Sequence, residues 1–193
     1  MLQPKTCLLS FSGGLDSLAA AIKLKEDGYD VTLGHIAWVI EGTDFGEEQS
    51  KAAFALAREL GMPIEVLAHM RFPEGSFAKY SWVPVCISTI MHHAGDPCVY
   101  PAKNKMRYDC VAFGTDFRPD PEYDNSIRYL WLQSMRAYIY QGQVLYPLDG
   151  MSRRERAALV PRRQYERTVC CYLGKSAREP CGTCWKCIGE SEP

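Results

Sequence analysis

An excess of charge of either sign is missing from this chain of 193 residues: 22 Lys+Arg stand against 23 Asp+Glu, a formal net charge of -1. Without a global basic field, long-range recruitment of nucleic acid or an anionic membrane surface has no electrostatic basis. Direct nucleic-acid binding is therefore not expected. Long apolar runs are missing too, since no stretch approaches the roughly 18 residues a membrane helix requires. Repeats and low-complexity tracts are absent, which excludes solenoids and linker arrays. Met1 leads through Leu2, Gln3 and Pro4 to Lys5 with neither a basic n-region nor an apolar h-region. The expected location is the cytoplasm. Two common phosphate motifs, G-x-x-x-x-G-K-S/T and G-x-G-x-x-G, do not occur either.

What is present is mostly ordinary. Hydrophobic residues make up 47% and charged ones 23%, as in soluble globular proteins. The length suits a single domain, taken as residues 1–193. Cysteine is the exception: of nine in the chain, Cys170, Cys171, Cys181, Cys184 and Cys187 crowd the C-terminal end. An odd, clustered set is a poor disulfide framework and a good metal site. A reducing compartment keeps such thiols available as ligands.

The first half alternates strand-like and helix-like stretches. Thr6–Phe11 is a short apolar run, Ser17–Lys25 a helix closed by Gly28, and Val31–Val39 a second strand. Glu47–Leu60 carries Ala53, Leu56, Ala57 and Leu60 on one helical face before Gly61 and Pro63 stop it. Ile64–Leu67 and Asp109–Gly114 read as further strands, and Trp82–Met91 and Ile127–Tyr140 as helices. Ser152 and Glu155 form an S-x-x-E capping box for a helix reaching about Val160. The alternation predicts an α/β fold, an open parallel sheet with helices on both faces built by right-handed crossovers.

Ser12-Gly13-Gly14-Leu15-Asp16-Ser17 falls where the first strand ends and the first helix begins. Ligands of open α/β sheets sit at the carboxyl ends of strands, against helix N-termini. Two glycines let the backbone approach an anion closely, while the first helical amides aim free N–H groups at it. Ser12 and Ser17 add hydroxyls. Asp16 beside a phosphate is costly unless it faces a cation, which implies Mg²⁺. A plain strand-to-helix turn is the bland alternative.

At the other end, Cys181-Gly182-Thr183-Cys184-Trp185-Lys186-Cys187 holds two consecutive C-x-x-C units. Two residues between thiolates let a tight turn place both sulfurs about 2.3 Å from one tetrahedral Zn²⁺. Cys170 or Cys171 supplies the fourth ligand. An iron–sulfur cluster and free redox thiols are the alternatives. A zinc ion held by four cysteines has no open position, so its role is structural.

The hexapeptide at 12–17 resembles the pyrophosphate loop of the N-type ATP pyrophosphatases, a superfamily of the adenine nucleotide alpha hydrolase-like, HUP-type fold. In that family the loop binds ATP while a substrate oxygen attacks the α-phosphate. The resemblance implies Phe11, Ser12, Gly13, Gly14, Leu15, Asp16 and Ser17 as nucleotide ligands, with Asp16 and Ser17 catalytic. Cys171-Tyr172, Gly174 and the Cys181–Cys187 knuckle are similar to the C-terminal zinc motif of 7-cyano-7-deazaguanine synthases, within a segment spanning 168–190. That implies Cys171, Cys181, Cys184 and Cys187 as the zinc ligands. Tyr146-Pro147-Leu148 with its following helix, and Gly114-Thr115-Asp116-Phe117, resemble further segments of those enzymes. Asp116 and Phe117 are thereby implied on the substrate side.

The activity implied is an ATP-dependent ligase, forming AMP and pyrophosphate, that amidates a 7-deazaguanine carboxylate and can carry it on to the nitrile. ATP, Mg²⁺ and structural Zn²⁺ are the implied cofactors. The chain departs from the family at Glu41–Gly46, where members carry a Tyr-Gly-Gln-Arg-His-like stretch, and at Val85-Cys86-Ile87 after the retained Val83-Pro84, where members carry Gly-Arg-Asn. An altered pocket opens other outcomes: passing the activated acyl group to an amine on a protein, as antiviral paralogues suggest, tRNA thiolation, or ATP sensing without turnover. A small-molecule substrate, a protein substrate or partner, and a homodimer are the partners considered.

Smaller features have plainer readings. Arg153, Arg154, Arg156, Arg162, Arg163 and Arg167 read as a solvated helix face, with binding of phosphates, a tRNA or an acidic partner as the alternative. His92 and His93 fall in an unassigned loop, with proton transfer or metal binding as the minor reading. Cys86, Cys98 and Cys110 read as small core residues. Trp131, Met135 and Tyr138 read as core or a dimer seam.

Overall fold

Apolar runs of four or five residues bounded by turn formers cannot make a stable helix, and here they make the centre of a sheet. A computed structural model of the chain describes residues 4–42, 44–72, 82–95, 107–114, 140 and 142–169. Its elements run β1 (Thr6–Ser10), α1 (Leu15–Glu26), β2 (Asp30–Ile40), α2 (Phe45–Leu60), β3 (Ile64–Phe72), α3 (Trp82–Ala94) and β4 (Cys110–Phe113), followed by β5 (Gln143–Leu145), α4 (Arg153–Ala158) and α5 (Arg162–Tyr165). The strands form one five-stranded sheet in the order β3-β2-β1-β4-β5. Every pairing is parallel, with Leu8 of β1 opposite Thr32 of β2 on one side and Val111 of β4 on the other.

Side chains alternate across a strand, and that alternation divides the core in two. Cys7 and Leu9 of β1 join Leu18 and Leu24 of α1, Ala53 and Leu56 of α2, and Val160 beyond α4. Leu8 faces the other way, into Ile87, Ile90 and Met91 of α3 with Val111 and Phe113 of β4. Helices therefore cover both faces of an open parallel sheet, as expected from the sequence. The chain winds outward from β1 through β2 to β3 with α1 and α2 on one face. It then crosses back to β4 with α3 on the opposite face. Right-handed crossovers require that change of face when the direction of winding reverses.

Local chemistry sets the element ends. Gly61 adopts φ 63° and ψ 35° after α2, a left-handed cap that glycine takes without a Cβ penalty. The capping box is present: the Ser152 hydroxyl accepts from the Glu155 amide at 3.3 Å, and the Ser152 amide donates to the Glu155 carboxylate at 2.6 Å. The helix it starts is shorter than expected, ending at Ala158. β3 continues to Phe72 because its later residues pair in register with β2. His92 and His93 lie on the last turn of α3 rather than in a loop, since the helix continues to Ala94. The expected helix 127–140 lies outside the described residues except for Tyr140. Among the described residues no helix is long and apolar enough to cross a membrane.

Leu18 is fully buried where α1 meets the sheet. Leu18→Ala should cost about 2–5 kcal/mol by loss of transfer energy and the cavity left behind. The exposed Arg163→Ala should change stability by less than about 0.5 kcal/mol. Urea midpoints of the two variants against the parent chain check this contrast.

Candidate functional site

Reversal of winding leaves a crevice between the carboxyl ends of β1 and β4, the place where open α/β sheets bind ligands. Ser12–Ser17 occupies it. Gly13 has φ 77°, and a Cβ there would lie 2.8 Å from the Ala53 amide nitrogen of α2. Both conformation and space thus demand glycine. Gly14 is the N-cap residue of α1, with extended backbone and no side-chain cap. The first internal bond of the helix runs from the Leu18 amide to the Gly14 carbonyl at 3.0 Å. The amides of Leu15, Asp16 and Ser17 consequently have no intrahelical acceptor. They sit at the positive end of the helix dipole.

The two serines hold this loop in shape. Ser17, buried on the first turn, donates its hydroxyl to the Gly14 carbonyl at 2.9 Å. The Ser12 amide donates to Ser17 Oγ at 3.3 Å, and the two hydroxyl oxygens stand 3.2 Å apart. Phe11 is buried, and its backbone is committed on both sides: its amide donates to Gly34, and its carbonyl lies 2.9 Å from His35 Nδ1. Phe11 and Leu15 anchor the loop through their buried side chains, while the amides after Gly14 supply the donors.

β4 closes the other wall. A Cβ at Gly114 would lie 2.7 Å from the Asp16 carbonyl oxygen and 3.0 Å from the Ser17 Cα. The third wall is the segment after α5, where the buried Val169 donates its amide to the Gly13 carbonyl at 3.2 Å. The chain therefore enters its cysteine-bearing segment from beside the loop. Cys171, Cys181, Cys184 and Cys187, and Asp116 and Phe117, lie outside the described residues. Among the described residues no group of three or more His, Cys, Asp or Glu is placed to hold a metal ion.

For one of the six arginines the favoured reading of the sequence fails. Arg156 on α4 is not part of a solvated face: its side chain is 11% exposed and a terminal guanidinium nitrogen lies 3.4 Å from Asp16 Oδ1. Its Nε donates to the Met151 carbonyl at 3.0 Å. The capping box offered the missed signal. With Ser152 as N-cap, Met151 and Arg156 fall at the N′ and N4 positions, which lie side by side at a helix start, and the Nε bond to the Met151 carbonyl spans them. Arg154, Arg162, Arg163 and Arg167 are exposed, as expected of a solvated face. Arg162 pairs with Glu166, and Arg167 with Glu59 of α2.

The donor set fits an anion with a divalent cation. First-turn amides without intrahelical acceptors donate to phosphate oxygens, and the half-exposed Asp16 carboxylate is the hard oxygen ligand that Mg²⁺ takes alongside phosphate. Gln49 of α2, 5% exposed, has a side-chain oxygen with no hydrogen-bond partner. Its backbone carbonyl packs 3.1 Å from the Cβ position of Gly13.

No protein-family model matches the chain, and no curated protein matches it in sequence. Solved structures of similar layout include the predicted subunit of tRNA methyltransferase from Methanocaldococcus jannaschii, at 19% identity and a TM-score of 0.48, covering 80% of this chain and 73% of that one. They also include the tRNA thiolase NcsA from Methanococcus maripaludis with its 4Fe-4S cluster, at 15% identity and a TM-score of 0.49, covering 80% of this chain. This chain spans 55% of the thiolase. At TM-scores just under one half, neither likeness assigns an activity.

His35 supports the loop from below. It is fully buried, with Nδ1–H donating to the Phe11 carbonyl and Nε2 3.0 Å from Ser50 Oγ. Burial holds its pKa below the ordinary 6.5, and the nearby His69 pushes the same way. A lowered folded value makes the neutral ring the native form. The stability it contributes is complete above the unfolded pKa and is lost as pH falls through that value towards the folded one. Urea midpoints measured from about pH 7.5 down to about 5.5 should fall more steeply for the parent chain than for His35→Gln. Parallel curves would contradict this assignment.

Proposed function

We propose that the chain is an ATP-dependent ligase that cleaves ATP between the α- and β-phosphates at the 12–17 loop. The observation that carries this reading is the S-G-G-x-D-S loop itself, pre-folded at the strand-reversal point with the first-turn amides of α1 without intrahelical acceptors. The amides after Gly14 bind the phosphates, and Ser12 and Ser17 fix the loop around them. Mg²⁺, when bound at Asp16, supplies neutralisation of phosphate charge. Catalysis of this kind rests on alignment and charge stabilisation at phosphorus.

The substrate we propose is a 7-deazaguanine carboxylate, on the resemblance of the loop and the C-terminal cysteine motif to 7-cyano-7-deazaguanine synthases. A carboxylate oxygen attacks the α-phosphorus, the α–β bridging bond breaks, and pyrophosphate leaves. Ammonia then attacks the acyl carbon, losing a proton as AMP departs, to give the amide. The amide oxygen then attacks the α-phosphorus of a second ATP, releasing pyrophosphate, and departure of AMP with loss of both amide protons gives the nitrile. Cys171, Cys181, Cys184 and Cys187 are the proposed zinc ligands.

Among the described residues, burial of Cys7 and Cys110 away from the loop gives neither a place as a sulfur carrier. Cys110 is fully buried at the start of β4, the end of the sheet away from the loop, and lies opposite Cys7 of β1. The hydrogen bond with Cys110, and after it burial, push the Cys7 thiol upward. Burial pushes the Cys86 thiol up to about 12. A nucleophilic sulfur needs a lowered pKa together with access; the Cys7 hydrogen bond lowers the Cys110 thiol, but that thiol is fully buried.

Incubated with ATP, Mg²⁺, ammonia and 7-carboxy-7-deazaguanine, the protein should release AMP and pyrophosphate, and Asp16→Ala should remove about 100-fold or more of the rate. Products of ADP and phosphate would overturn the α–β cleavage. No deazaguanine-dependent turnover, with turnover on another carboxylate, would overturn the substrate alone.

A further inference from the structure

We propose that Arg156 is a phosphate-binding residue of the loop, which exchanges Asp16 for the β- and γ-phosphates, and hence for the pyrophosphate leaving group. The inference rests on the nucleotide reading above and adds to it a residue outside the loop.

The placement of the guanidinium carries the proposal. It stands at the first turn of α1, 3.4 Å from the carboxylate of a residue whose own amide is one of the loop donors. Its position is set from behind by the Nε bond to Met151, and α4 is fixed by the capping box and by Ala157, Leu159 and Val160 packing on the α1 face of the core. A cation held this firmly does not roam to find partners. It defines a fixed positive point beside a helix N-terminus that is itself partially positive. Arg is also the residue whose planar fork matches a phosphate with two parallel bonds.

Its contact with Asp16 is long and made through a single nitrogen. Charge-assisted bonds of the strong kind run about 2.7–2.9 Å. A divalent cation at Asp16 would face the guanidinium directly, two positive groups competing for one carboxylate. An anion lying between them removes the conflict: phosphate oxygens take both the metal and the guanidinium. The pair then serves as a latch in the empty loop and as a split clamp around the bound triphosphate. AMP, which lacks the β- and γ-phosphates, gains nothing from Arg156.

Binding rather than turnover is the readout. Calorimetric titrations with Mg²⁺-pyrophosphate, Mg²⁺-ATP and AMP would compare the parent chain with Arg156→Met and Arg156→Lys. For Arg156→Met we expect pyrophosphate and ATP binding to weaken about 10- to 100-fold, with AMP changed less than about twofold. Arg156→Lys should recover part of the loss because the charge remains while the fork does not. Equal pyrophosphate affinity in the parent and Arg156→Met would overturn the proposal while leaving the ATP reading intact. Equal losses for AMP and pyrophosphate, with a lower melting temperature, would instead make Arg156 part of the scaffold. A parent chain that binds neither ATP nor pyrophosphate would remove both readings.

Discussion

The close approach of β4 to the first turn of α1 governs the rest of this structure. Glycine at 114 lets the strand end against the Asp16 carbonyl and the Ser17 Cα, where any side chain would collide. That contact brings together the two central strands at the point where the winding reverses. The loop between β1 and α1 is then walled on three sides: by β4, by the α2 backbone against Gly13, and by Val169 bonded to Gly13. A backbone without side chains at 13, 14 and 114 is what such closeness costs in sequence freedom. The gain is a set of helix amides fixed in the crevice before any ligand arrives.

Electrostatics complete the site by pairing opposite charges at its edge. Net charge near zero means that no long-range field delivers an anion, so recognition must be local. The N-terminus of α1 attracts a phosphate, Asp16 calls for a cation, and Arg156 balances Asp16 from α4. These three groups come from segments 140 residues apart. The capping box at Ser152 and Glu155 is therefore more than a local helix signal, because it sets the angle at which Arg156 reaches the loop. Below, His35 ties the strand end to α2 through Phe11 and Ser50, and it does so as a neutral ring.

Much of this could be read from residue order alone. Short apolar runs, glycine stops and the S-G-G-x-D-S hexapeptide each act through neighbours close in sequence, so their consequences were visible without a fold. The parallel sheet, the helices on both faces and the loop at the strand end follow from such local signals. β5 was not legible because Gln143–Leu145 has only three residues and no alternation of its own; pairing with β4 makes it a strand. Arg156 was hidden in a run of arginines whose other members are mostly exposed, and only the fold of α4 against α1 separates it from them. The later half of β3 was missed for a similar reason, since its partly exposed residues take their conformation from β2. Cysteine spacing at the C-terminal end remains a sequence argument, carried by ligand geometry and resemblance.

The central claim is that the 12–17 loop binds the phosphates of ATP. Amide chemical shifts followed by NMR during titration with Mg²⁺-ATP test it most directly. The account predicts the largest shifts at Gly13 through Ser17, smaller ones at Gly114 and Val169, and little change along β3. Saturable ATP binding that leaves the Gly13–Ser17 amides unmoved would contradict it.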